Sequence, residues 1–131
     1  MNGYIYVLHF ETRLHHAGHY LGSTYNLDER FARHAAGQAA RLTQVLAERR
    51  MTWSVAAVYE CTIDCRLAER EAKRRKNTTT YCPKCNPEHV APSYTREIPF
   101  QWSPKHEQYH DELSRHENYE QPVLDESEFP F

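Results

Sequence analysis

The stretch YLGSTYNLDERFARH, residues 20–34, sets a tyrosine ten residues before an arginine and a histidine that stand one helical turn apart. Arg30 and His34 share a helix face at that spacing. A guanidinium offers a planar fork to two phosphate oxygens, and an imidazole can hold or pass a proton near neutral pH. A phenol such as Tyr20, or Tyr6 on the neighbouring strand, can take a proton from water only if its pKa falls well below about 10. A nearby metal, Arg or Lys would lower it. The same types also suit plain structure: strand aromatics pack sheets, and a histidine in a last helical turn complements the helix dipole.

Glu69 precedes Lys73 by four residues, which fits an ordinary helix ion pair or a single carboxylate for a metal. Glu71, two residues on, points to a different side of the helix. The run KRRK at 73–76, with Arg66 and Arg70, makes a cationic helix end. Four bases in a row exceed what the helix dipole needs, so phosphate contact along a nucleic-acid backbone is the favoured reading. Cys82-Pro83-Lys84-Cys85 has the spacing of half a zinc site. Cys61 and Cys65, His89, or a later histidine such as His106 or His110 could complete it. The Cys65 route is strained. A helix of about eleven residues carries the chain roughly 16 Å away, and the five residues 77–81 span at most about 18 Å on the return.

These groups must be positioned by a small set of elements. Tyr4–Phe10 reads as a strand, His19–Ser23 as its hairpin partner, and Trp53–Cys61 as a buried third strand. Asn26 is a helix N-cap with Asp28 and Glu29 in the first turn, and that helix runs to about Ala36. A second helix covers Arg41–Arg50, and Asp64 caps a third over about Arg66–Lys76. NTTTYCPKCNPEHVAPSY breaks all periodicity. The order predicts a small α+β domain, with a mainly antiparallel three-stranded sheet flanked by helices. Residues 1–90 are expected to form the domain, including the cysteine knuckle. Residues 91–131 are expected to form a polar acidic C-terminal extension, partly helical or disordered.

Composition narrows the partners. The chain has 131 residues and a net charge of −2. Residues 1–106 carry fifteen Lys and Arg against ten Asp and Glu, a net +5, whereas 107–131 carry one Arg against eight acids, a net −7. A basic body suits a polyanion such as nucleic acid. The acidic tail is either a solvated extension or a cover for the basic face. No apolar run is long enough to span a membrane. GYIYVLHF begins almost at once without a leader pattern, so a cytoplasmic, reducing setting is expected, with the cysteines serving metal or packing.

With the elements placed, YIYVL at 4–8, YLG at 20–22, Arg30, His34, the strand WSVAAVYEC and the helix LAEREAKRRKN at 67–77 resemble the GIY-YIG nuclease family. The resemblance covers about residues 3–77 and extends through CPKC. The first motif has Tyr4 in place of glycine and the second has Leu21 in place of isoleucine, but both key tyrosines are kept. The resemblance implies a DNA endonuclease that hydrolyses phosphodiester bonds with Mg²⁺ or Mn²⁺, with structural Zn²⁺ at the cysteines as an addition. It implies Tyr6 as base and Tyr20 as the residue positioning water or phosphate, with the two exchangeable. Arg30 and His34 would act on the phosphate. The family register, a lysine four residues after the acid, selects Glu69 over Glu71 as the metal ligand. Arg66, Arg70, Lys73, Arg74, Arg75, Lys76 and Asn77 would contact nucleic acid. A bacterial or phage source is expected by the same likeness.

Two other classes compete: a module of the same fold that binds nucleic acid without cutting, and a zinc-stabilised interaction protein. The sequence leaves open single-stranded, duplex or branched DNA, and monomer or homodimer. If the tail covers the basic face, deleting residues 107–131 raises nucleic-acid affinity in low-salt binding assays; unchanged affinity rejects that cover.

Overall fold

The computed structural model describes residues 1–14 and 17–102. The chain runs through β1 (Tyr4–Leu14), β2 (Ala17–Thr24), α1 (Leu27–Ala35), α2 (Arg41–Glu48), β3 (Trp53–Cys61), α3 (Cys65–Lys73), a 3-10 turn (Thr78–Tyr81) and β4 (Thr95–Ile98). The strands form one antiparallel sheet in the order β2-β1-β3-β4.

β1 sits in the interior of this sheet, with Tyr6 opposite Gly22 on β2 and Val58 on β3. Its residues Ile5, Tyr6, Val7 and Leu8 are all fully buried because both faces of the sheet are covered. Such a strand reads as a continuous apolar run and not as an alternating one. Ile5 and Val7 join Leu21, Tyr59 and the helix α3 on one face. Tyr6, Leu8 and Phe10 join Leu27 and Phe31 of α1 and Leu42, Val45 and Leu46 of α2 on the other. The buried stripe of α3 is Cys65, Ala68 and Ala72. Side chains this small let the helix lie close to the sheet.

Local signals fix the helix ends. The Asn26 side chain accepts from the Glu29 amide at 3.2 Å, and Asp64 accepts from the Arg66 amide at 3.1 Å. Both are N-caps that satisfy otherwise unpaired donors. α3 ends at Lys73, three residues before the expected limit, and Lys76 adopts a positive φ of 53° that ends any helical path.

The sheet has four strands where the sequence predicts three. β4 is four residues long, TREI, with two charges and no apolar alternation, so its own pattern does not announce it. It is specified instead by pairing with β3, Cys61 against Thr95 through Val58 against Ile98. This strand falls within the stretch expected to form the extension. Immediately after it, Phe100 and Trp102 fold back over the α1 face. Trp102 stacks on Trp53 at 5.6 Å with the rings 4° apart, and both Phe100 and Trp102 lie 5.6 Å from Phe31. The expected helix or disorder beyond Pro104, His106, His110 and the acidic run 107–131 lie outside the described residues. Among the described residues, no helix is long and apolar enough to cross a membrane.

The aromatic strap formed by residues 100–102 should contribute to stability. Trp102→Ala is expected to cost about 3 kcal/mol, the low end for a large aromatic because the ring is only partly buried. Urea denaturation checks this, and an unchanged midpoint would show that the strap adds nothing.

Candidate active site

Three side chains are linked by hydrogen bonds that all run one way. The Thr43 hydroxyl donates to the Ala40 carbonyl at 3.0 Å. Its single proton is thereby used, so the 2.7 Å contact with His34 Nδ1 has the ring N–H donating to Thr43. His34 Nε2 is then a bare acceptor, and the Tyr6 hydroxyl donates to it at 2.5 Å. Tyr20 lies beside Tyr6, with the ring centres 6.2 Å apart. Thr43 and His34 are fully buried, as is Tyr6.

Electrostatics agree with this arrangement of protons. Burial, with the charges of Arg30 and Arg33 adding to it, pushes His34 down to about 3, so the imidazole is neutral at physiological pH. Burial also raises both tyrosines above the usual phenol range, and the Glu69 carboxylate adds to the rise at each. The Arg30 guanidinium acts the other way on both. Lys73 lies 5.8 Å from the Tyr20 ring centre and 3.4 Å from the Glu69 carboxylate. Tyr20 is half-buried at the rim and Tyr6 is enclosed behind it.

The sheet edge makes this convergence possible. α1 supplies Arg30 and His34 from one face, while α3 supplies Glu69 and Lys73 from the other. They meet around β2, the edge strand carrying Tyr20. Gly22 is the gap through which they meet: a Cβ there would fall 2.5 Å from the Tyr6 hydroxyl oxygen and 2.8 Å from the Tyr20 ring. Any side chain at that position would displace one phenol.

The tyrosines, arginine, histidine and glutamate lie close enough for their charges to act on one another, and the model of the GIY-YIG catalytic domain matches residues 2–82. The chain belongs to the GIY-YIG family. GIY-YIG domains have a nuclease-type fold, the family comprises endonucleases, and its nucleases act on nucleic acid and depend on divalent metal. Comparison with curated proteins and with solved structures returned no match.

Within this GIY-YIG domain the other expected residues are scattered. Glu71 is exposed and turned to Arg74, at 3.4 Å, away from the tyrosines. Arg70, Lys73, Arg74, Arg75, Lys76 and Asn77 form an exposed basic end to α3. Arg66 stands at the other end of that helix, beside Asp64 and the Tyr25 ring. Arg66 lines a groove with Tyr25, Arg30 and Arg33. His34, expected to act on phosphate directly, has no free ring nitrogen.

The expected cysteine set is corrected. Cys82 and Cys85 converge with His9 and His19, all four ligand atoms lying within 4.8 Å of one another. Cys61 and Cys65 are outside that group. Both are buried against the α3 face of the sheet, and burial, with Cys65 nearby, pushes the Cys61 thiol up to about 11. His89 instead pairs with Glu97 at 2.8 Å. Thr43 was also invisible to sequence reading, because a threonine inside a helix carries no signal of a distant partner. The histidines did leave a signal, four of them in the segment HFETRLHHAGHY.

The buried neutral imidazole gives a signed pH dependence. Because folding lowers the pKa of His34, the unfolded chain takes up the proton first. The stabilisation is complete above pH 6.5 and is lost as pH falls towards 3. Between pH 7 and pH 4 the protein is expected to lose about 2 to 3 kcal/mol more stability than His34→Gln. Parallel pH dependences for the two proteins in urea melts would remove His34 from this account.

Proposed function

We propose that the chain is a divalent-metal-dependent endonuclease that hydrolyses phosphodiester bonds in DNA. The observation that carries this reading is the directional run of hydrogen bonds from Tyr6 to Thr43, with Tyr20 beside it and the charges of Arg30 and Glu69 acting on both phenols. Hydrolysis needs a water stripped of a proton, charge held on the phosphate and help for the departing oxygen. Two phenols whose pKa values lie above the usual range cannot rest as phenolates. One of them could take the water's proton once a bound cation, together with Arg30, lowers its pKa. Tyr20, at the rim, meets the attacking water. The bare Nε2 of His34 holds the Tyr6 hydroxyl behind it in a fixed orientation.

The imidazole keeps its Nδ1–H on Thr43 and stays neutral, so it orients Tyr6 and is not the destination of the proton. This gives Tyr20 the role of base and Tyr6 that of the positioning residue, the exchanged form of the family-based assignment. It also explains why a neutral histidine is buried behind the phenols, a group that a module binding nucleic acid passively has no use for. Arg30 is the side chain suited to the phosphate oxygens.

Glu69 fits a metal of the magnesium type. It is a partly exposed carboxylate near the phenols, and its one ion-pair partner among the described residues is a lysine that a cation could displace. Mg²⁺ is often held by one or two carboxylates together with water and substrate phosphate. When bound it would supply charge neutralisation at the phosphate. The groove holding Arg33 and Arg66, and the basic end of α3, are suited to the flanking backbone, in contacts that would be sequence-independent and salt-sensitive.

A cleavage panel tests this. Single-stranded, duplex and branched DNA are incubated with Mg²⁺ or Mn²⁺ and the native protein, Glu69→Ala, Tyr6→Phe or Tyr20→Phe. Each variant is expected to lose about 10²-fold or more in rate while still binding DNA. Equal cutting by Glu69→Ala removes the metal assignment, and binding without cutting by the native protein favours a non-catalytic module.

A further inference from the structure

On the α3 side of the hairpin, away from the phenols, four ligands of a different chemistry converge. His9 on β1 and His19 on β2 are cross-strand partners, with ring centres 5.4 Å apart. The knuckle carrying Cys82 and Cys85 reaches them from the loop that follows α3. His19 Nε2 lies 3.3 Å from Cys85 Sγ, and His9 Nδ1 lies 3.5 Å from Cys85 Sγ and 3.8 Å from Cys82 Sγ. With zinc–sulfur and zinc–nitrogen bonds of about 2.3 and 2.0–2.1 Å, a tetrahedral site has edges of about 3.4 to 3.8 Å. The observed separations fall at or beside these lengths.

We propose that His9, His19, Cys82 and Cys85 bind one structural zinc ion. Two thiolates and two imidazoles are a borderline-soft set suited to tetrahedral zinc. Four protein ligands complete the coordination and leave no place for substrate or water, so the ion clamps and does not catalyse. Both cysteines are free thiols. The ion joins segments 66 residues apart along the chain, as measured from His19 to Cys85. It would fasten the exit of α3 to the hairpin beside Tyr20. The site is independent of the proposed nuclease reaction and is tested without it.

Full-length protein purified without chelator is expected to hold about one equivalent of zinc by elemental analysis. Replacing it with Co²⁺ is expected to give the visible absorption of a tetrahedral ion with thiolate ligands. The exposed Cys85→Ser and the strand variant His19→Gln are each expected to reduce bound zinc at least about tenfold, while Cys61→Ser keeps it. Stripping zinc from the native protein with a chelator lowers its melting temperature, and adding zinc back restores it, so the result does not depend on how the variants fold. Substoichiometric zinc in the native protein, another metal in its place, a Cys82–Cys85 disulfide, or full zinc in both ligand variants would overturn the site.

Discussion

The short hydrogen bond from Tyr6 to His34 is the constraint around which the rest of the protein is arranged. It ties the interior strand to α1 through two groups with no access to water. A buried donor or acceptor left unpaired costs about 1–3 kcal/mol. Each member of the run must therefore be satisfied by the next. Thr43 satisfies the far nitrogen and is satisfied in turn by the end of the loop before α2. That helix has no side-chain cap and no charged residue to favour either end. Its register against α1 is set by apolar packing together with this one hydroxyl. The groups that give the pocket its chemistry are in this sense also the groups that hold three elements in place.

The pocket itself exists because β2 is an edge. Helices on opposite faces of a sheet cannot ordinarily touch the same side chain. Here they reach around the border strand, and the missing side chain at Gly22 leaves the depth needed for Tyr6 to meet them. α3 depends on its alanines for the same closeness. With larger residues at 68 and 72 the helix would ride farther from the sheet and carry Glu69 away from the phenols.

Much of this was legible in the chain. Asn26 and Asp64 announced their helices, the apolar runs of β1 and β3 announced buried strands, and the five pocket residues stood out as an ordered set. What stayed hidden depends on partners distant in sequence. β4 has no pattern of its own and exists as the complement of β3. The second pair of metal-type ligands lies on strands whose register no cysteine spacing can report. Which of Tyr6 and Tyr20 lies nearer the surface is a fact of packing depth and not of residue type.

The paired indoles of Trp53 and Trp102 are the chain's two tryptophans. Nearly parallel rings at that separation couple their electronic transitions, so the protein carries a built-in optical gauge. Its near-ultraviolet ellipticity reads whether the segment after β4 is seated, and Trp53, 6.3 Å from the His34 ring, would sense the charge on that imidazole through its emission.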